Sequence, residues 1–67
     1  MAKIQLNGKK ITVKSKATIY DILKKFKLYN KKVAIEYNGV IIPKVHYKKK
    51  FLKNSDKLEI VHFIGGG

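Results

Sequence analysis

The feature of this sequence with the clearest capacity for chemistry is its last three residues, Gly65-Gly66-Gly67. Glycines add nothing to a hydrophobic core and lose more backbone entropy on ordering than any other residue. Without Cβ atoms, however, such a segment can enter a narrow channel in a partner enzyme and present the carboxylate of Gly67 there. A carboxylate is a poor electrophile, so the partner must activate it, most simply by adenylation with ATP. Attack by sulfur on the acyl-adenylate then leaves a thiocarboxylate. The alternative is a frayed chain end or an expression scar.

The other residues that could do chemistry indicate no second site. Four carboxylates are present: Asp21, Glu36, Asp56 and Glu59. No close pair for general acid–base catalysis is evident among them, and Asp21 is explained as a helix cap and Asp56 as a turn residue. The two histidines, His46 and His62, are far apart and cysteine is absent, so a metal site with three convergent ligands is not expected. We therefore expect no catalytic residue, metal or bound cofactor in the chain itself, and assign any catalysis to its partners.

The charge of the chain is high and one-sided. All 16 basic residues of the 67 are lysine, and the net charge is +12. Such a charge attracts acidic partners, although an A/T-rich genome that favours lysine codons would produce the same bias. Arginine, the better fork for phosphate and guanine, is absent, and the four tyrosines do not line one strand face as a stacking platform would. We expect no specific nucleic-acid partner, only weak and non-specific association.

The chain shows no sign of a membrane segment. No apolar run approaches the roughly 20 residues that a spanning helix needs. Residues 1–3 lead directly into an alternating strand pattern, without the apolar region or cleavage site of a leader. The expectation is a soluble, cytoplasmic protein with no membrane partner.

Two Asn-Gly pairs separate the segments that are predicted to form strands. Asn7-Gly8 separates alternating residues 3–7 from 10–14, and Asn-Gly between such runs predicts a β-hairpin with a type I′ turn. Asn38-Gly39 likewise joins a strand at 33–37 to a short strand at 40–42, which ends at Pro43 because proline cannot donate to a ladder. The last strand is expected at 57–63. The side chains expected on the buried face of the first hairpin are Ile4, Leu6, Ile11 and Val13.

One amphipathic helix is predicted over residues 18–28. Thr18 can cap it, with Asp21 completing a short capping box. The expected buried positions follow the i, i+3, i+4, i+7 pattern: Ile19, Ile22, Leu23 and Phe26. The helix is expected to stop near Leu28 or Tyr29, with Asn30 as a left-handed C-cap.

The remaining segment, residues 45–53, is predicted to form a turn or a short helical piece. Its expected apolar anchors are Val45, Tyr47, Phe51 and Leu52. Tyr37 and Tyr47 are expected to complete the core with their hydroxyls in water. The whole order predicts an α+β protein of the β-grasp (ubiquitin-like) type, with a mixed sheet of about five strands and one main helix packed across it. Residues 1–64 would form this domain and 65–67 a flexible glycine tail.

Two segments carry a resemblance to a known family. They are VAIEYNGVIIPK at 33–44 and DKLEIVHFIGGG at 56–67. An alternating strand, an Asn-containing turn, a short apolar strand and a Pro-basic step appear in order. An acidic turn, a last strand and an apolar residue before the terminal glycines follow. In this combination the chain resembles the ThiS family, the sulfur carrier proteins of thiamine biosynthesis, along nearly its whole length.

The resemblance implies a function and a set of partners. Gly67 would be adenylated by a ThiF-like enzyme that uses ATP, then converted to a thiocarboxylate with sulfur from a cysteine desulfurase. The charged carrier would donate that sulfur to a ThiG-like thiazole synthase, which builds the thiazole ring of thiamine. The exposed face of the last strand would dock both partners, through Val61, Phe63 and Ile64, while the glycines at 65–67 thread the partner's active site.

Two alternative functions remain open at this point. The small subunit of molybdopterin synthase shares the fold, tail and sulfur chemistry. Those chains are usually longer and often carry prolines before the glycines, where this chain has His62-Phe63-Ile64. A small basic RNA-binding β-grasp module belongs to a different class. Its binding should weaken steeply with ionic strength, and it has no need of a free Gly-Gly end.

Overall fold

A computed structural model describes residues 1–29 and 32–62 of the chain. Its elements, in chain order, are β1 (Ala2–Leu6), β2 (Lys9–Val13), α1 (Ile19–Lys25), β3 (Val33–Tyr37), β4 (Val40–Ile42), a short 3-10 turn (Lys44–His46) and β5 (Lys57–His62). All five predicted strands are present. Within the described residues, no helix has the length and apolar character required to cross a bilayer.

The five strands form one mixed sheet in the order β2-β1-β5-β3-β4. The β1–β5 pair is parallel, and the other three pairs are antiparallel. Both hairpin turns have positive φ at two successive residues, 50° and 83° at Asn7-Gly8 and 49° and 86° at Asn38-Gly39. This is the geometry of a type I′ turn, and it explains why asparagine and glycine occupy both positions. The mixed β-grasp sheet predicted from the sequence is confirmed.

Helix α1 packs its apolar side on one face of this sheet. The capping box is formed: the Thr18 amide donates to Asp21 Oδ2 at 2.9 Å, and the Asp21 amide donates to Thr18 Oγ1 at 3.2 Å. Ile19, Ile22 and Leu23 are almost fully buried, as predicted. The core that they share with the sheet includes Ile4, Val13, Ile35 and Leu58, whereas Leu6 and Ile11 are only partly buried.

The C-terminal end of the helix differs from the prediction. The helix ends at Lys25 rather than near Leu28, because Lys27 adopts a left-handed conformation with φ of 60°. The Lys27 amide donates to the Lys24 carbonyl at 3.0 Å, and the Leu28 amide donates to the Leu23 carbonyl at 2.7 Å. These two bonds constitute a Schellman motif, which reverses the chain and returns Leu28 to the core. Asn30, the predicted cap, lies outside the described residues.

This early ending also makes the prediction for Phe26 wrong. Phe26 is the C-cap residue and its side chain is 44% exposed, because the turn at Lys27 brings Leu28 against the core in its place. The i+7 position therefore contributes less to the core than the periodicity suggested.

The helix yields a stability prediction that separates these two positions. Leu23→Ala should lower the free energy of unfolding by about 2–5 kcal/mol, because Leu23 is 2% exposed and its removal leaves a cavity. Phe26→Ala should cost about 1 kcal/mol or less, since half-exposed side chains lose little burial when truncated. Urea denaturation of both variants measures the difference. Equal losses would contradict the placement of Phe26.

The segment after β4 is anchored by two of its four predicted side chains. Tyr47 and Leu52 are 7% and 4% exposed, whereas Val45 and Phe51 are 76% and 58% exposed, so the prediction for the latter two is wrong. The segment is held to the start of the helix by backbone bonds: the Leu52 amide donates to the Ala17 carbonyl at 2.7 Å, and the Tyr20 amide donates to the Tyr47 carbonyl at 3.1 Å. Val45 and Phe51 lie on the side of this segment that faces water.

Candidate functional site

The strand that precedes the glycine tail lies in the middle of the sheet. β5 is flanked by β1 on one side and β3 on the other. Leu58 is 1% exposed and Ile60 is partly buried against the helix side, whereas Glu59 is exposed and Val61 is 55% exposed on the opposite face. The predicted alternation of β5 is thus confirmed over 58–61. Phe63, Ile64 and the glycines at 65–67 lie outside the described residues, so Val61 is the one predicted docking residue among those that the structure describes.

Two turn asparagines fix the position of β5. Asn38 Oδ1 accepts from the Lys57 backbone N–H at 2.7 Å, and the Asn38 backbone N–H donates to the Lys57 carbonyl at 2.8 Å. Asn7 Oδ1 accepts from the Ile60 amide at 2.7 Å, and Asn7 Nδ2 lies 3.4 Å from the Ile60 carbonyl oxygen. The parallel register pairs Gln5 with Lys57 and Leu6 with Leu58. The last backbone bond between the two strands runs from the Asn7 N–H to the Leu58 carbonyl at 2.9 Å, so the Asn7 side chain continues the ladder past the end of β1.

This role of Asn7 and Asn38 was missed in the sequence. Both were identified only as residues that tolerate positive φ in a hairpin turn, and aspartate would serve a turn equally well. An asparagine side chain supplies both a donor and an acceptor, which a carboxylate cannot do. Asn7 uses both on the backbone of Ile60, whereas Asn38 accepts from the Lys57 N–H and donates to Asp56 Oδ1. The presence of asparagine at both turns was the available signal.

Asp56 forms a buried polar cluster immediately before β5. Its side chain is 3% exposed. The carboxylate accepts from the Tyr37 hydroxyl at 2.7 Å, the Lys53 amide at 2.9 Å and Asn38 Nδ2 at 3.2 Å, and Lys53 Nζ lies 3.7 Å from Oδ1. The prediction that the Tyr37 hydroxyl faces water is therefore wrong. Asp56 is a turn residue, as predicted, but it also joins the end of β3 to the start of β5.

The ionisation of this cluster follows from its contacts. Burial alone would raise the pKa of Asp56, but hydrogen bonds from Tyr37, the Lys53 amide and Asn38, together with the Lys53 charge, hold that pKa below its ordinary value of 3.8. Burial is also the main cause that raises the pKa of Tyr37, and its bond to Asp56 raises it further. Asp56 is therefore a buried anion at neutral pH, compensated by its donors.

The face of β3, β4 and β5 that points away from the helix carries a compact set of side chains. We call it the outer sheet face and define it by Ala34, Glu36, Ile41, Lys57, Glu59 and Val61. The register places Glu36 opposite Glu59, Ala34 opposite Val61 and Ile41 opposite Glu36. Sequence reasoning found no close pair of carboxylates, and the structure corrects this by bringing Glu36 and Glu59 together across two strands.

The histidines form no site in the part of the chain that the structure describes. His46 and His62 are both exposed. Among residues 1–29 and 32–62, no group of three or more potential ligands lies close enough to hold a metal ion. The described chemistry of the molecule is thus concentrated on β5, its clamps and the outer sheet face.

The sequence and the fold are both similar to those of known proteins. The sulfur carrier protein ThiS of Bacillus subtilis is 46% identical over 65 residues, covering 96% of this chain and 98% of that protein. The thiazole synthase of Paramagnetospirillum magneticum is 38% identical over 65 residues, covering 97% of this chain but 20% of that protein. The crystal structure of the thiamine biosynthesis protein ThiS from Geobacter metallireducens superposes with a TM-score of 0.82 at 26% identity, covering 97% of this chain and 99% of that chain. The family model of the ThiS family matches residues 3–67, and the chain belongs to the ThiS family.

Proposed function

We propose that this chain is a sulfur carrier protein of thiamine biosynthesis, which holds sulfur as a thiocarboxylate on Gly67. The observation that carries the proposal is the nearly full-length similarity, on both sides, to a protein named as a sulfur carrier. The match to the ThiS family model extends through the terminal glycines, because it ends at residue 67. The chain supplies no catalytic group in this proposal and acts as the co-substrate of its partners.

The proposed chemistry has two steps at one carboxyl group, the first at its oxygen and the second at its carbon. A ThiF-like adenylating enzyme transfers AMP from ATP to the Gly67 carboxylate and releases pyrophosphate. A sulfur nucleophile, supplied through a cysteine desulfurase, then attacks the acyl-adenylate and displaces AMP. If that nucleophile is a persulfide, a thiol must cleave the resulting acyl disulfide to free the thiocarboxylate. The requirement for ATP supports a cytoplasmic location.

The acceptor of the sulfur is proposed to be a ThiG-like thiazole synthase. Two thiazole synthases, from Paramagnetospirillum magneticum and Magnetococcus marinus, contain a region similar to nearly all of this chain, at 38% and 35% identity. That region is 20% of each protein, so the remainder has no counterpart here. Carrier-like and synthase sequences joined in one polypeptide favour the proposal that the separate carrier meets the same kind of enzyme.

The architecture suits a carrier. The clamps at Lys57 and Ile60 and the cluster at Asp56 hold β5 at several points in the centre of the sheet. A strand held at several points fixes the position from which the following residues extend. This lowers the entropy that is lost when the terminus is aligned with a partner's active site. In this proposal the folded domain provides the surface that the partners bind, and the chemistry takes place at the C-terminal glycine that the domain positions.

The function is tested by charging the intact protein with sulfur. The chain is incubated with ATP, a ThiF-like enzyme, a cysteine desulfurase and cysteine, and its intact mass is measured. The proposal requires the mass shift of one oxygen exchanged for sulfur, located on the last peptide. Transfer is then tested by adding a thiazole synthase with its other substrates and following loss of the shift. Absence of charging, or a shift located elsewhere, would refute the assignment.

Docking through β5 gives a second test of the proposed function. Val61→Ser should raise the KM for adenylation about five- to thirtyfold, because an apolar group at an interface centre contributes about 1–2 kcal/mol of binding. Stability should change little, since Val61 is 55% exposed. Val40→Ser is the matched control: Val40 is 60% exposed but pairs with Tyr37 and shares its helix-side face. An equal effect of both changes would argue against docking on the face of Val61.

A further inference from the structure

Strand β5 is held differently along its two edges. On the β3 edge the register continues to the end of the strand, with Val33 opposite His62. On the β1 edge the chain turns away at Asn7-Gly8, and the last backbone bond runs from the Asn7 N–H to the Leu58 carbonyl at 2.9 Å. Beyond Leu58, this edge of β5 is bonded by the side chain of Asn7 instead of by a strand.

The Asn7 side chain takes the place of a further residue of β1. Its Oδ1 accepts from the Ile60 N–H at 2.7 Å, and its Nδ2 lies 3.4 Å from the Ile60 carbonyl oxygen. One amide group thus meets both backbone groups that Ile60 presents on this edge. The part of β5 that is bonded on both edges is thereby extended from Leu58 to Ile60, toward the end of the strand from which the tail departs.

The length of β5 that is bonded on both edges influences the direction in which the chain leaves the sheet. Two-stranded ribbons twist more than strand pairs within a wider sheet, and their twist varies more. Without the Asn7 side chain, the stretch held by β3 alone would begin at Glu59 instead of Val61. Residues 61–67 reach about 23–25 Å when extended, so a change of about 10° in direction moves the chain end by about 4 Å.

We propose that Asn7 is a positioning residue for the activation of Gly67, because its bond to Ile60 sets the direction in which β5 delivers the tail to the adenylating enzyme. The inference rests on the proposed function and adds a residue that acts on the reaction through Ile60. The enzyme must hold the outer sheet face around Val61 and the Gly67 carboxylate at the same time. A misplacement of about 1 Å can cost about 100-fold in rate, so a displaced carboxylate impairs the chemical step more than the binding of the domain.

The turn conformation alone does not account for this contact. Asn38 occupies the equivalent position of the second type I′ turn, with φ of 49°, but its side chain bonds the Lys57 N–H at the start of β5 and Asp56 Oδ1. The Lys57 carbonyl also accepts from the Asn38 N–H, and Lys57 pairs with Gln5 of β1. Asn38 therefore bonds an end of β5 that the backbone already fixes on both edges, whereas Asn7 bonds the end that the backbone of β1 does not reach.

The test combines adenylation kinetics with hydrogen exchange on the same variants. Asn7→Gly keeps the positive φ of the turn and removes the side chain. Its kcat for pyrophosphate release by the ThiF-like enzyme should fall at least about tenfold, while KM for the carrier changes by less than about threefold. The Ile60 amide proton, followed by NMR, should exchange at least about tenfold faster, because its acceptor is gone.

Asn7→Asp is the conservative variant. Aspartate tolerates the turn and keeps an oxygen that can accept from the Ile60 N–H, but it has no donor for the Ile60 carbonyl. It should retain slow exchange at Ile60 and a kcat within about threefold of the intact carrier. In either variant, a tenfold fall in kcat with Ile60 still protected, or loss of that protection with kcat unchanged, would overturn the proposal.

Asn54→Gly is the matched control for a loss of stability. Asn54 is also exposed, and its Oδ1 accepts from the Lys3 N–H at 2.8 Å, at the opposite end of β1 from Asn7. Both glycine variants should lower the melting temperature by about 4–8 °C, since each loses a side-chain bond to a strand, but Asn7→Gly alone should lower kcat. An equal fall in kcat for Asn54→Gly would refute the positioning role while charging of the intact chain still supports the carrier function. If the intact chain is neither adenylated nor charged, both proposals fail.

Discussion

Removing Gly67 is expected to abolish thiocarboxylate formation and to leave the melting temperature unchanged. The deletion shortens the chain by one residue, about 3.3–3.6 Å of extended backbone, and so withdraws the carboxylate from the ATP phosphate. Reacting atoms must approach to about 3–3.5 Å, and a misplacement of 1 Å can cost about 100-fold in rate. The rate of charging should therefore fall by at least about 100-fold. Intact mass measured over time is the readout.

Two further changes at the tail examine the same reasoning. One residue added after Gly67 should block charging, because the reactive carboxylate is displaced, whereas one residue added before Met1 should not. Gly66→Val should block charging more strongly than Gly66→Ala, because a branched side chain is larger than any group that a channel shaped for glycine admits. Sulfur on the Gly67 deletion at the rate of the intact chain would show that the terminal carboxylate is not the site.

Replacing Asp56 with alanine is expected to lower the free energy of unfolding more than a typical single substitution does. The substitution leaves the Tyr37 hydroxyl, the Lys53 amide and the Asn38 amide group without their acceptor. A buried donor left without its partner costs about 1–3 kcal/mol, and hydrogen bonds to a charged acceptor contribute about 1.5–3 kcal/mol each. A 67-residue domain has about 3–10 kcal/mol to lose, so the variant should be mostly unfolded at elevated temperature.

The same cluster predicts a loss of stability in acid. Because the pKa of Asp56 is lower in the folded protein than its ordinary value of 3.8, the unfolded chain binds the proton first as pH falls. The contribution of Asp56 is complete well above pH 3.8 and is lost as pH drops through the lowered folded value. Denaturant unfolding between neutral and strongly acidic pH should show this loss in the intact protein and a flatter profile in Asp56→Asn. Asp21→Asn, at the exposed acidic residue of the helix capping box, is the control and should retain the steep profile.

The sequence carried enough information for the elements with strong local causes. Both Asn-Gly turns require two positive φ angles, and Thr18 with Asp21 satisfies the free amides of the first helical turn, so these features were predictable without tertiary contacts. Strand alternation likewise predicted which face of β5 carries Val61. The glycine tail and the segments at 33–44 and 56–67 were sufficient to indicate the family.

Features that depend on long-range contacts were predicted poorly. The predicted helix included Phe26 because the apolar periodicity continues to that residue. The actual helix ends earlier, where Lys27 reverses the chain and Leu28 packs against the core. Val45 and Phe51 were assigned to the core by their apolar character alone, and the backbone bonds to Ala17 and Tyr20 turn them toward water. Hydropathy reports what a residue prefers, and only the neighbouring elements determine whether space exists for it.

The division between sequence and structure is sharpest at the working end of the molecule. The sequence alone determined that three glycines follow an apolar strand, because composition and order along the chain are local properties. Tertiary structure decided that Asn7 and Asn38 clamp this strand, that Asp56 lies buried beneath its start, and that Glu36 and Glu59 face each other beside it. Each of these contacts joins residues about 20 to 50 positions apart, and their geometry follows from sheet register, which no local pattern encodes.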